Sequence, residues 1–168
     1  WTGVENLQPM FQSPEARQTV EYLQELLEVS PPEILHINWY DRARIYAEGR
    51  AAMAYSHSLL ATIYELDPAS PAYRKTGYAS HPTGPLGRPI VPMGGYSLAI
   101  PANIDPARIG DVWIALQTMT SASATKVYLT NGSLSSPRSS VSNDPEVSAL
   151  SPMISAIDSM AAKGFLRT

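Results

Sequence analysis

The chain has 168 residues and a mass of 18.2 kDa, enough to hide roughly 70% of its extended surface in a core. With 44% apolar and 16% charged residues, it lacks the high charge and low hydrophobicity that keep chains disordered. A net charge of −3 with scattered Lys and Arg excludes the basic footprint of a nucleic-acid binder or a polybasic membrane patch, and the lack of cysteine excludes disulfide scaffolds, thiolate metal sites and a cysteine nucleophile.

The 15 prolines divide the chain into short blocks. Ser13-Pro14 is a helix start, a capping hydroxyl followed by a proline at the first helical position. Ala16, Val20, Leu23 and Leu27 then recur at helical spacing among Glu and Gln, which predicts an amphipathic helix ending before Pro31-Pro32. A shorter helix is expected from Asp41 to a stop at Gly49, burying Ile45 and Tyr46. Ala51-Ala52-Met53-Ala54-Tyr55 reads as a short buried strand, bounded by Gly49 and the polar trio Ser56-His57-Ser58. A helix from about Ser58 to Glu65 follows, then a Gly- and Pro-rich stretch from Lys75 to Gly95 with one strand near Tyr78.

The pair Gly94-Gly95 leads into a further strand that Pro101 ends. Ile109, Val112, Trp113, Leu116 and Met119 predict a second strong amphipathic helix. Ser121 caps another, stopped by Asn131-Gly132. Beyond a Ser-rich passage over 133–143, Pro145 to about Lys163 reads as helix in two pieces, broken near Ser151-Pro152. This alternation predicts an α/β fold, a short mixed sheet flanked by helices. The longest apolar run, Val112-Trp113-Ile114-Ala115-Leu116, is far short of the ~20 residues that span a bilayer, so no direct membrane insertion is expected. The chain opens at Trp1 without a basic–apolar–small leader, and the start of the gene product is expected to lie upstream.

Patterns that carry chemistry are sparse. His36, His57 and His81 are far apart and have no carboxylate at metal-ligand spacing, so neither a metal nor a cofactor is expected. No phosphate-binding glycine loop and no G-x-S-x-G elbow is present. An enzyme would have to be a hydrolase using His57 with a serine or Asp41. A protein-interaction module, the other alternative, would show a large exposed apolar patch in place of a cleft. Two places are more suggestive. Tyr55-Ser56-His57 ends the expected strand, where α/β folds border their ligand crevice, although a turn with ordinary caps explains the same residues. Met93-Gly94-Gly95-Tyr96 lets a ligand approach the main chain closely, although a turn needing positive φ accounts for the glycines equally well.

In order, these blocks resemble the later part of an extracytoplasmic solute-binding protein of the sugar-type ABC importers, the family that includes maltose-binding protein. The helix at Pro14–Val29 is followed by Tyr46-Ala47-Glu48-Gly49-Arg50-Ala51-Ala52-Met53, similar to the family's "f-x-x-G-x-a-a-M". His81-Pro82-Thr83-Gly84-Pro85 and Gly94-Gly95-Tyr96-Ser97-Leu98-Ala99-Ile100 resemble "lP-x-g" and "G-G-x-s-l-a-I". Leu116-Gln117-Thr118-Met119-Thr120-Ser121 resembles "f-l-x-x-l-t-s", and Gly132 to Pro145, with Pro137-Arg138, resembles "g-x-x-p-x-r-x-x-x-x-d-p".

The resemblance implies part of a periplasmic-binding-protein-like fold, two α/β lobes that close on a solute. Residues 1–93 and 132–168 would be second-lobe segments, with about 94–131 crossing to the first lobe. It further implies a non-enzymatic receptor for a carbohydrate or related polar solute, located in the periplasm or otherwise outside the cytoplasm, with permease subunits as partners. Tyr55, Ser56, His57, Gly94, Gly95 and Tyr96 would bind solute, with Arg138 in the returning segment. The chain departs from the pattern in one place. Some members carry a stacking tryptophan just after the "a-a-M" strand, where Leu59 and Leu60 stand here. That speaks against a large oligosaccharide and leaves Tyr55 or Tyr96 to stack on a sugar face. As a fragment, the chain is expected to bind solute poorly on its own and to self-associate.

Overall fold

The computed structural model describes residues 9–84, 87, 89–164 and 166–167. Helix α1 (Pro14–Glu28) forms where the cap predicts it, with Ser13 Oγ accepting the Ala16 N–H at 3.2 Å and Pro14 at the first position. Helix α2 (Trp39–Ala47) starts at Trp39 rather than Asp41, because Asn38 and Asp41 form a capping box. Asn38 Oδ1 accepts the Tyr40 and Asp41 N–H groups at 2.8 and 3.0 Å, and the Asp41 carboxylate accepts the Asn38 N–H. Gly49, at φ +72°, then ends the helix in a left-handed turn that glycine adopts without strain. A 3-10 turn at Ser58–Ala61 runs into the short α3 (Thr62–Glu65).

Later come α4 (Ile109–Met119), α5 (Ala122–Thr130), α6 (Ser139–Ser142), α7 (Pro145–Ser148) and α8 (Pro152–Ala162). Ser121, Asp144 and Ser151 cap α5, α7 and α8 through their side chains.

The strands are where expectation and structure part. None forms over 51–55, near Tyr78 or over 95–101. The sheet among the described residues is one parallel pair, β1 (Val91–Pro92) beside β2 (Leu166–Arg167). The expected short mixed sheet is corrected accordingly. Ala51-Ala52-Met53-Ala54-Tyr55 is not buried either, since Met53 is 89% exposed. A strand exists only if a neighbour takes its N–H and C=O groups, and no described segment pairs with these residues.

The core lies between α2–α3 and the C-terminal helices. Ala47, Ala61, Tyr64, Leu134 and Met153 form one buried cluster, and Leu129, Val141, Val147 and Ile154 form another. Leu150 packs against both. Polar groups around the first cluster are paired, as burial requires. Tyr46 donates to Thr76 Oγ1 at 3.2 Å and meets the Tyr64 ring edge-on, with centroids 5.0 Å apart. The Tyr78 hydroxyl donates to the buried Glu65 carboxyl, and burial pushes both Tyr64 and Tyr78 above the usual phenol range. Lys126 bonds Asp144 at 2.7 Å and Glu146 at 3.0 Å, tying α5 to the start of α7 and holding Asp144 below the usual carboxylate range.

Two helices formed as predicted but did not bury their apolar stripes. Helix α1 buries only Ala16, and Val20, Leu23 and Leu27 stay exposed. Helix α4 buries none of its residues, with Trp113 54% and Ile114 62% exposed. The whole chain exposes 12306 Å², against roughly 8,100 Å² for a compact monomer of this mass. Exposed apolar side chains such as Val20, Leu23, Leu27, Trp113 and Ile114 favour association. The isolated chain should therefore sediment as species heavier than 18.2 kDa at micromolar concentration, and Trp113→Lys with Ile114→Lys should shift it toward monomer. A single monomeric species for the unsubstituted chain would contradict this.

Candidate functional site

The clearest constellation surrounds Tyr55-Ser56-His57. The backbone enters a 3-10 turn just beyond it, and His57 caps that turn, its Nδ1 accepting the Leu59 N–H at 3.3 Å. Helix α2 points two more side chains at this corner. Trp39 meets the His57 ring edge-on with centroids 6.5 Å apart, and the Arg42 guanidinium carbon stands 5.5 Å from the centre of the Tyr55 ring. From a third segment, the His81 ring lies 4.6 Å from Tyr55 at 58°. Three stretches of chain thus bring together three aromatic or imidazole faces, a guanidinium, a hydroxyl and a further imidazole.

Two polar atoms here are buried without a hydrogen-bond partner among the described residues, Arg42 Nε and Ser56 Oγ. An orphaned buried donor costs about 1–3 kcal/mol, and such groups in a native fold call for an explanation.

The other expected residues sit differently. Gly94 and Gly95 are exposed with nothing within 4 Å of where a Cβ would be, and neither has positive φ. A turn demanding glycine is therefore not what they form. Tyr96 is 95% exposed. Two residues on, Leu98 reaches an open groove of about 580 Å³, whose lining includes Met119, Tyr128, Ser135 and Arg138. Arg138 is held there by its Nε, which donates to the Thr120 carbonyl at 2.8 Å. The groove and the Tyr55 corner adjoin, because Ser58 Oγ and Ser135 Oγ are 3.2 Å apart. The structure thus brings Tyr55, Ser56 and His57 together and sets Arg138 across a shared edge, while Gly94, Gly95 and Tyr96 reach this region only through Leu98.

The corner offers hydrogen-bond donors, acceptors and ring faces, a set suited to holding a polar molecule. Asp41 is otherwise engaged, accepting from the Asn38 N–H and pairing with Arg44 at 3.5 Å. No group of three or more His, Asp or Glu among the described residues could hold a metal. Sequence reasoning missed Trp39, Arg42 and His81. The first two share a face of α2 at i, i+3 spacing, a signal concealed by starting that helix at Asp41.

The orphaned hydroxyl yields a prediction. Ser56→Ala removes a buried group without a partner, so thermal unfolding should show stability unchanged or raised by up to about 1 kcal/mol. A loss larger than about 1 kcal/mol would mean that Ser56 Oγ is paired after all.

No protein-family profile and no curated protein matches the chain. Two solved structures do. One is maltose-bound T. maritima MalE3, with a TM-score of 0.83 and 22% identity, covering 98% of this chain and 42% of that one. The other is an ABC transporter solute-binding protein from Agrobacterium radiobacter in complex with ribitol, with a TM-score of 0.83 and 27% identity, covering 95% of this chain and 40% of that one. The chain therefore spans about two fifths of the length of the structures it matches. It carries part of the periplasmic-binding-protein fold and resembles the solute-binding proteins of ABC importers, as its ordered motifs imply.

Proposed function

We propose that the chain is the substrate-binding part of an ABC importer receptor that captures a small sugar, polyol or related solute and delivers it to membrane permease subunits outside the cytoplasm. The observation that carries this reading is the corner of Trp39, Arg42, Tyr55, Ser56, His57 and His81, set on a fold similar to ribitol- and maltose-bound proteins. Sugars are held by many neutral hydrogen bonds together with contact between their C–H faces and aromatic rings. The role of stacking residue, absent at Leu59 and Leu60, falls to Tyr55, with Trp39 edge-on to the nearby His57.

The lobe division belongs to the same proposal. Residues 1–93 and 132–168 form second-lobe segments, and about 94–131 cross to a first lobe that supplies the facing half of the site. The bare apolar faces of α4 and the unpaired 51–55 and 95–101 stretches are then surfaces that the rest of a two-lobed protein covers. Solute contacts on both lobes favour a closed state by hinge motion. Leu129 of α5 shares a buried cluster with Val141, Val147 and Ile154 of the returning segment. Helix α5 therefore sits with the second lobe, and the crossing falls to the part of 94–131 before it, where α4 buries nothing.

The test is calorimetry on the complete protein that carries this sequence, against a panel of sugars and polyols. Binding without turnover is expected, and His57→Ala should weaken it about five- to tenfold. Turnover of a solute that His57→Ala abolishes would establish the hydrolase reading instead.

A further inference from the structure

Capture of a neutral sugar leaves Arg42 unexplained. The neighbouring arginines show how this region treats a guanidinium that serves only the fold. Arg44 pairs with Asp41 at 3.5 Å and Glu48 at 2.9 Å, and Arg50 pairs with Glu33 and Glu48. Arg42 is half-buried, has no carboxylate within 4.0 Å among the described residues, and leaves its Nε–H without an acceptor. Its recorded neighbour is the face of Tyr55. A partly desolvated charge with an orphaned donor is costly unless an anion completes it.

We infer that the solute bears a carboxylate, and that Arg42 is the residue that receives it. This rests on the receptor reading above and narrows its substrate class to sugar acids. A planar guanidinium bonds a carboxylate through two parallel N–H···O contacts, and the Nε edge of Arg42 is the edge left without a partner. Seating a carboxylate there requires a neighbour to yield, and Tyr55, 58% exposed, has room to turn. Ser56 and His57, next in the chain, then lie within reach of the solute's hydroxyls.

The charge balance separates a carboxylate from a phosphate. A phosphate monoester carries about −1.5 to −2 at neutral pH. Arg42 is the single Lys or Arg among the six residues of this corner, which suits one negative charge, and the Nε of Arg138 in the adjoining groove is already engaged by the Thr120 carbonyl.

The test is calorimetry on the complete protein with gluconate and galacturonate, their neutral counterparts sorbitol and galactose, ribitol, and glucose 6-phosphate. The acids should bind about tenfold or more tighter than their neutral counterparts and than the phosphate ester. Arg42→Gln should weaken the acids about ten- to hundredfold, a loss at least about fivefold greater than the one it causes for their neutral counterparts. Arg42→Lys, which keeps the charge but loses the planar fork, should recover part of the preference. Equal or tighter binding of neutral solutes, or an equal loss for both classes in Arg42→Gln, would overturn the inference and leave the receptor reading standing. Preference for the phosphate ester would overturn it in favour of a sugar phosphate. Failure of every solute to bind would overturn both.

Discussion

Packing of Leu134 and Met153 against Ala47, Ala61 and Tyr64 is the joint on which the rest of the structure depends. It fastens the segment after α5 and the helix α8 to the α2–α3 unit, elements far apart in the chain. Burying such side chains is worth about 1.5–3 kcal/mol each, more than any exposed ion pair here can contribute. The joint also positions the candidate site. With Leu134 anchored, Ser135 comes within 3.2 Å of Ser58, and the Arg138 groove is set against the turn that His57 caps.

Outside the two buried clusters, long stretches of the chain have shape with little burial. Helix α1 has a side-chain cap, and both α1 and α4 have the period of stable elements, yet their apolar stripes face outward. The 51–55 and 95–101 stretches have strand composition and no strand partners. Helices survive this because their hydrogen bonds are internal, whereas a strand's lie with its neighbour. The pattern fits a chain spanning about two fifths of the length of the two-structure set it matches, and under the receptor proposal the same missing surfaces would supply the other half of the solute site.

This difference also explains what was legible in the sequence. Helix starts at Ser13, Ser121 and Ser151 are local events, a side chain bonding a backbone group two or three residues away, and each stands where its motif predicts. The stops at Gly49 and Gly132 are local too, both with positive φ. Strand formation is not local, and those expectations failed together. At the site, Tyr55, Ser56 and His57 stand out in the sequence as the end of an expected strand and through the family resemblance; no strand forms there, yet they lie beside Trp39, Arg42 and His81. Arg42, Trp39 and His81 became visible only when the Asn38 capping box and the approach of the His81 segment were in hand. A separation of 26 positions between Tyr55 and His81 carries no periodic signal that would pair them.

Under the receptor proposal, solute is held at the Tyr55 corner and along the edge it shares with the Arg138 groove. Differential hydrogen exchange on the complete protein, with and without a solute identified by calorimetry, tests it most directly. Solute binding should slow amide exchange over 39–42, 55–59 and 133–138. Protection confined to other segments, such as α1 or α8, with these three unchanged, would contradict it.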